Sequence, residues 1–249
     1  MKSPFASEPC RTAEADRHEG RLAGFAKDPD RAAKASAPKP PRGLSRGLRE
    51  IADAEQLQDD AAFSYVHLQN LEAAEGSLAD ASFDRARLDG CHLEGMRAEG
   101  ASFSDVAFRS CDFSRADLSR TLFSRCSFED CSLRTATLAE ASLRDVAFRG
   151  CTFSYASVFE ASLSRCTFEA CDLTETRFDS CELKDVELDG CKMVGTEVYR
   201  TPLAGIDLSS CRIEGLRLSS GAPELKGAIV DRMQASELAK ILGVVVKDS

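Results

Sequence analysis

The stretch ASFSDVAFRSCDFSRADLSR, residues 101–120, decides how this chain folds. Its large apolar residues, Phe103, Phe108, Phe113 and Leu118, recur at intervals of five, and a small or modest apolar residue lies two positions before each. A period of five matches neither the 3.6 residues of a helical turn nor the two-residue alternation of a strand. The stretch therefore belongs to an internal repeat rather than to an ordinary helix or strand.

The five-residue period extends outward from this stretch, from Phe63 to Leu218, without interruption. All 32 positions of the series are apolar, and 26 of them are Leu or Phe. A second period, of 20 residues, appears where the small apolar position is cysteine: Cys91, Cys111, Cys131, Cys151, Cys171, Cys191 and Cys211. Identical side chains at this spacing are what stacked coils of 20 residues, about 4.8 Å apart, would select.

Individual blocks of the repeat resemble the unit of the pentapeptide-repeat proteins. Ala116-Asp117-Leu118-Ser119-Arg120, for example, has a small residue, a polar one, Leu, and two polar ones. The match covers residues 61–220. The resemblance implies an all-β fold, a right-handed quadrilateral β-helix of about eight coils with four pentapeptides in each.

The residues before the repeat predict a tail and a cap. Residues 1–43 are rich in Ala, Pro, Lys and Arg, a composition typical of disorder. A solenoid needs its terminal coils covered, because they expose apolar core and unpaired strand edges. Leu44, Leu48 and Ile51 lie near helical spacing, so residues 44–60 are predicted to cap the first coil through a short helix.

The residues after the repeat, 221–249, predict a helix that begins after Asp231 and ends at Gly243, followed by a short strand at Val244–Val246. This segment resembles the dimerisation module of the gyrase-protecting Qnr and MfpA group within the pentapeptide-repeat proteins. The resemblance implies a homodimer formed through the following residues: Met233, Leu238, Ile241, Leu242, Val244 and Val246. The alternative is a monomer whose tail covers the last coil.

The cysteines and histidines predict no reactive centre. The cysteine column could form a redox or metal ladder, but buried, inert thiols are the favoured interpretation, because side chains in register point the same way and suit a disulfide poorly. His18, His67 and His92 are scattered along the chain. The sequence predicts no catalytic residue, no metal site and no cofactor. It contains no secretory signal or membrane-spanning run, which predicts a cytoplasmic protein without a membrane partner.

The formal net charge of −9 resides in the repeat, because residues 61–220 carry 26 acidic and 17 basic residues. Such a surface disfavours direct binding of nucleic acid and complements a basic protein surface, such as a DNA-binding groove. A merely solvated acidic surface is the alternative. Two outward columns alternate in sign and predict ion-pair ladders between coils: Arg85, Asp105, Arg125, Asp145, Arg165, Asp185; and Asp89, Arg109, Glu129, Arg149, Glu169, Asp189.

One side of the predicted β-helix combines outward aromatic residues with acidic residues outside these two columns, and is predicted to bind a partner through the following residues: Glu140, Phe159, Glu160, Asp172, Glu175, Asp179 and Tyr199. Aromatic residues amid acidic ones suit a protein interface. Asp145, in an ion-pair column, is expected to matter far less for binding.

The resemblance implies a DNA-mimicking dimer that binds a type II topoisomerase, either DNA gyrase or topoisomerase IV, and reduces its sensitivity to quinolones or related toxins. The unbroken register leaves no room for a projecting loop that is not a multiple of five residues, so the chain resembles the loop-free MfpA type more closely. The alternative function is an interaction scaffold for an unknown basic protein.

Overall fold

Every fifth residue from Asp60 to Gly205 has a positive φ, between 48° and 81°. Each of these residues turns the chain through a corner between two short extended segments, and four corners close one coil of 20 residues. The computed structural model describes residues 37–45 and 47–247 of the 249-residue chain. The predicted disorder of residues 1–43 therefore falls, for residues 1–36, outside the described part.

The coils form a parallel β-solenoid in which each residue pairs with the residue 20 positions later. The strands are β1 (Arg49–Ile51), β2 (Ala62–Ser64), β3 (Val66–Gln69), β4 (Ser82–Asp84), β5 (Arg87–Asp89), β6 (Ser102–Ser104), β7 (Ala107–Arg109), β8 (Leu122–Glu129), β9 (Ser142–Arg149), β10 (Ser157–Phe159), β11 (Ser162–Glu169), β12 (Arg177–Asp179) and β13 (Glu182–Asp189). One α-helix follows, α1 (Arg232–Ile241). Among the described residues, no helix is long and apolar enough to cross a membrane.

Each coil has four sides, which we number by the residues of the second coil and their equivalents at 20-residue intervals: side 1 (81–84), side 2 (86–89), side 3 (91–94) and side 4 (96–99). Sides 1 and 2 carry most of the strands, whereas sides 3 and 4 are joined mainly by isolated parallel bridges. The predicted β-helix of the pentapeptide-repeat type is confirmed.

Two columns of phenylalanine rings fill the interior. Phe63, Phe83, Phe103 and Phe123 stack with ring centroids 4.7–5.2 Å apart. The second column, Phe108, Phe128, Phe148 and Phe168, stacks at 4.3–4.8 Å and meets the first column edge to face. An interior ring therefore contacts aromatic neighbours above, below and beside it, and each contact adds to the stabilisation from burial alone.

The cysteines line the interior as predicted. Ten of the 11 cysteines are described, and all ten are buried free thiols. Their sulfur atoms donate weak hydrogen bonds to carbonyls of the coil below, such as Cys111 Sγ to Leu88 O at 3.3 Å. Burial raises the pKa of Cys126 to about 12, so its thiol stays protonated at neutral pH.

The N-terminal cap is a strand, and the short helix predicted for the cap at residues 44–60 is wrong. Strand β1 pairs in parallel with β3, and a single 3₁₀ turn, Ala54–Gln56, follows it. Ile51 is buried in the core. The unpaired edge of β3 needs hydrogen-bond partners, which an extended segment supplies and a helix cannot. This requirement outweighs the helical spacing of the apolar residues.

The first seven coils stack regularly, whereas the eighth, residues 201–220, departs on sides 1 and 2. No described residue of 201–209 pairs with β13, although bridges continue on sides 3 and 4. Pro202 explains the break, because its equivalents Ser102 and Ser142 donate backbone N–H groups to the coil below and proline has none. Leu203 N–H donates instead to Glu224 O, beyond the repeat.

Replacing Phe128 by alanine is expected to lower the free energy of unfolding by about 3–5 kcal/mol, because the ring lies between two stacked neighbours in a close-packed column. Phe63→Ala is the matched control. Phe63 stacks on one ring only, because it lies at the end of its column. The Phe63→Ala variant should therefore lose less free energy of unfolding than Phe128→Ala. Urea denaturation of both variants checks this, and equal losses would contradict the importance of the column.

Thiol reagents are expected to label the ten buried cysteines only as fast as the coils open, because the thiols are inaccessible to the reagent in the folded protein. Labelling followed by mass spectrometry in native buffer and in urea measures this for each peptide. Rapid modification of several barrel cysteines in native protein would overturn the buried-column interpretation.

Candidate interaction surfaces

Most of the predicted partner-binding residues do share one side of the solenoid. Phe159, Asp179 and Tyr199 follow one another along side 4, where Phe159 pairs in register with Asp179. Glu140 and Glu160 occupy the left-handed corner between sides 4 and 1. These residues form a continuous surface, which we call the side-4 surface.

The two remaining predicted residues lie at and beyond the other edge of side 4. Glu175 occupies the left-handed corner between sides 3 and 4, in the same column as the exposed Tyr155. Asp172 lies around that corner on side 3, where its bridges are formed. Asp172 is therefore not part of the side-4 surface.

Three of the acidic residues predicted to bind a partner already form ion pairs with basic side chains of this chain. Arg200 binds both carboxylate oxygens of Asp179, at 2.7 and 2.9 Å. Arg217 contacts Glu175 at 3.2 Å, and Lys192 contacts Asp172 at 3.3 Å. The corresponding ion pairs neutralise much of the negative charge that the sequence assigned to this region.

Glu140 and Glu160 differ from these three. Both are exposed, and neither makes a side-chain hydrogen bond or ion pair within the described part of the chain. Their column is not one of the two in which the charge alternates along the sequence. On the side-4 surface, these two carboxylates are free to meet a partner.

A charge network on side 4 was missed from the sequence. Glu197 lies between Arg177, at 2.8 Å, and Arg217, at 2.9 Å. Burial acts to raise the pKa of Glu197, but the two guanidinium groups outweigh it, and the pKa lies below its usual value. Comparison of residues 20 positions apart, which revealed the other charge columns, would have found this one as well.

The two alternating charge columns form separate pairs rather than continuous ladders. Arg125 binds Asp105 and Arg165 binds Asp145, each through two hydrogen bonds of 2.7–2.8 Å. In the second column the arginines bind the acidic residue of the following coil: Arg109 contacts Glu129 at 3.0 Å, and Arg149 contacts Glu169 at 2.8 Å. The predicted coil-to-coil ion pairs are present for these four arginines, each of which binds one of its two acidic neighbours. They are not formed by Arg85, which contacts Asp84 instead, or by Asp185 and Asp189, which have no ion pair among the described residues.

Asp105 and Asp145 are buried, each with 3% of its surface exposed, although the sequence placed them on the outside. Hydrogen bonds from Arg165 hold the pKa of Asp145 below its ordinary value. Charge reversal at Asp145 would place a positive charge at a buried position beside Arg165 and disturb the fold, so Asp145 is not a neutral control for the side-4 surface.

Helix α1 closes the C-terminal end of the solenoid. Asp231 and Gln234 form a capping box at its start. The Gln234 amide also donates two hydrogen bonds of 2.8 Å, to Leu208 O and Cys211 O of the last coil. Leu238 is buried against the core, so its predicted place in an exposed dimerisation surface is wrong.

The other predicted dimerisation residues are exposed. Together with Val245, which has 86% of its surface exposed, they form a group that we call the C-terminal apolar group: Met233, Ile241, Leu242, Val244, Val245 and Val246. The predicted strand at Val244–Val246 is not formed, because no other segment of the described chain pairs with it. Val245 was omitted from the prediction although it belongs to the same apolar run.

Two models of one family match the repeat. The pentapeptide repeat region model matches residues 101–165 and 161–221, and the model of pentapeptide repeats in eight copies matches residues 77–115. The chain belongs to the pentapeptide-repeat proteins. Among the curated proteins compared, none matches it.

Solved structures of other pentapeptide-repeat proteins are similar in fold. HetL, involved in heterocyst differentiation regulation in the cyanobacterium Nostoc sp. strain PCC 7120, is 19% identical over 69% of this chain and 90% of its own, with a TM-score of 0.29. Trypsin-treated QnrB1, a plasmid-mediated fluoroquinolone resistance protein, is 21% identical over 74% of this chain and 100% of its own, with a TM-score of 0.33.

The lowered pKa values of Asp145 and Glu197 predict how stability depends on pH. Folding favours their charged forms, so they stabilise the protein above the unfolded carboxyl pKa of about 4 and lose this effect as pH falls through the lower folded pKa. Urea denaturation should show a steep loss of stability on acidification, which Glu197→Gln makes shallower. Glu182→Gln, at an exposed carboxylate without an ion pair, should leave the slope unchanged.

Proposed function

We propose that this protein is a dimeric, DNA-mimicking rod that binds the DNA-binding groove of a type II topoisomerase, DNA gyrase or topoisomerase IV. The observation that carries the proposal is the acidic excess of the solenoid, 26 acidic against 17 basic residues within residues 61–220. This excess is displayed on a stiff scaffold of paired strands, which holds charges at fixed spacing as a duplex does. A groove that attracts DNA phosphates attracts such a surface by the same electrostatics.

The C-terminal apolar group supports the dimer in this proposal. Six exposed apolar residues at the end of a rod form a surface that a second copy would cover by two-fold symmetry. Eight coils of about 4.8 Å give roughly 38 Å of rod, so two rods end to end would span roughly 75 Å. That length suits an extended DNA-binding groove better than a compact pocket.

The side-4 surface supports the contact with the enzyme. Glu140 and Glu160 offer unpaired carboxylates, and Phe159 and Tyr199 offer partly exposed rings beside them. Occupation of the groove would compete with DNA. Reduced sensitivity to quinolones or related toxins, which act on the DNA-bound enzyme, would follow from that competition.

A second candidate function is that of a scaffold for a different basic protein. The rings of Phe159 and Tyr199 favour it, because aromatic side chains anchor protein interfaces generally and are not a feature of the DNA backbone. In this case the side-4 surface binds, but the partner is not a topoisomerase.

A supercoiling assay with purified DNA gyrase tests the proposal. The protein is expected to inhibit supercoiling, and Glu140→Lys with Glu160→Lys should weaken inhibition at least tenfold. The matched control is Glu187→Lys with Asp189→Lys, which changes the net charge equally on side 2, opposite side 4. Equal effects of both pairs would mean that only total charge matters. No inhibition by the unaltered protein, of either gyrase or topoisomerase IV, would contradict the proposed partner.

Val245→Asp is expected to yield a monomer, because it places a charge in the proposed dimer interface. Ala235→Asp, which adds the same charge at an exposed position of α1 outside the C-terminal apolar group, should remain a dimer. Light scattering gives the mass, and circular dichroism verifies that both variants fold. An unchanged mass for Val245→Asp would show that two copies do not associate through this end.

A further inference from the structure

Residues 37–42 lie against one edge of the solenoid, in contrast to the disorder predicted for the whole of 1–43. The Lys39 N–H donates to Asp145 Oδ1 at 3.3 Å, and the Arg42 N–H donates to Asp105 Oδ1 at 3.1 Å. Both acceptors belong to the corner between sides 1 and 2. We call residues 37–42, Ala-Pro-Lys-Pro-Pro-Arg, the N-terminal strap.

The strap has the periodicity of a polyproline II helix. Pro38 and Pro41 are partly buried, whereas the other residues of 37–42 are exposed. A spacing of three residues is one turn of polyproline II. Three prolines fix their own φ angles and bias the residues before them toward extended conformations, so the segment has little freedom to lose when it binds.

The spacing of the acceptors on the solenoid matches that of the strap. Asp105 and Asp145 are separated by two coils, about 9.6 Å along the axis. Lys39 and Arg42 are separated by three residues, which rise about 9.3 Å in polyproline II. Successive turns of the strap therefore reach successive acceptors without strain in either partner.

The carboxylates of Asp105 and Asp145 are held in position to accept these hydrogen bonds. Each carboxylate is buried, held by two hydrogen bonds from an arginine of the next coil, and still presents Oδ1 to the strap. The corresponding position two coils further on, Asp185, is exposed and has no ion pair or side-chain hydrogen bond among the described residues. The corner thus offers three acceptors at equal spacing, and residues 37–42 use two of them.

We propose that the corner between sides 1 and 2 is a binding site for polyproline II peptides, occupied in this chain by its own strap, and that a proline-rich segment of another protein takes the place of the strap. The ligand class is an extended peptide with an apolar residue, preferably proline, at every third position and a free backbone N–H after it. A segment that extends three residues further would also reach Asp185. A strap from a second copy would have the same chemistry, and the molecular mass of a variant with a loosened strap distinguishes this source from another protein.

The experiment uses the full chain and a fluorescent peptide with the sequence of residues 35–45, ASAPKPPRGLS. Pro38→Ala with Pro41→Ala loosens the strap in the protein, which faster tryptic cleavage after Arg42 verifies. We expect the peptide to bind this variant at least tenfold more tightly than it binds the unaltered protein, in which the strap competes. Peptide methylated on the backbone nitrogens of Lys39 and Arg42 should bind at least tenfold more weakly. Methylation of the backbone nitrogen of Ala37, which donates no hydrogen bond among the described residues, should have little effect.

Each outcome bears on the proposal. Unchanged cleavage would show that the prolines do not hold the strap, and no saturable binding to the loosened variant would show that the corner does not accept a peptide in trans; either result overturns it. Equal binding of the two methylated peptides would overturn the assignment of Asp105 and Asp145 as acceptors. Light scattering of the loosened variant reports exchange between copies, since an increase in mass that the peptide reverses would contradict the choice of another protein as the source.

Discussion

The left-handed corner at every fifth residue is the constraint on which the rest of this structure depends. Each non-glycine residue in this conformation costs about 1–2 kcal/mol, and most corners here are occupied by residues other than glycine. No single coil could offset these costs. Hydrogen bonds to the coils above and below, together with stacked rings in the interior, offset them only when coils are added in register.

The same dependence on neighbouring coils explains why both ends of the solenoid are capped. Strand β1 satisfies the open edge of the first coil, and Gln234 satisfies two carbonyls of the last. Pro202 is the one residue of the repeat that cannot donate its backbone hydrogen bond, and the stack departs from regularity at that point. Local changes therefore act through the register of a whole coil rather than through one contact.

The interior could be predicted because repetition determines which residues are neighbours. Once the period of 20 is known, Phe103 must stack on Phe83, and Arg165 must lie beside Asp145. The remaining features were not determined by the period. Whether Arg165 binds the coil before or after it depends on side-chain geometry at the corner, and whether Leu238 faces solvent or core depends on how α1 lies across the last coil. The pairing of β1 depends on the open edge of β3, which helical spacing in the sequence does not reveal.

Net charge alone does not locate a recognition surface on such a rod, because many carboxylates, such as Asp145 and Glu197, are committed to arginines of adjacent coils. Glu140 and Glu160, two acidic residues without such commitment, lie at the corner between sides 4 and 1, whereas the strap covers part of the corner between sides 1 and 2. Sides 3 and 4, with Tyr199, carry no contact from the strap among the described residues. A topoisomerase on side 4 and a proline-rich peptide on the corner between sides 1 and 2 would therefore contact different residues. A mutation that abolishes binding of the topoisomerase should leave binding of the peptide measurable, and the reverse, so the two proposals can be tested independently.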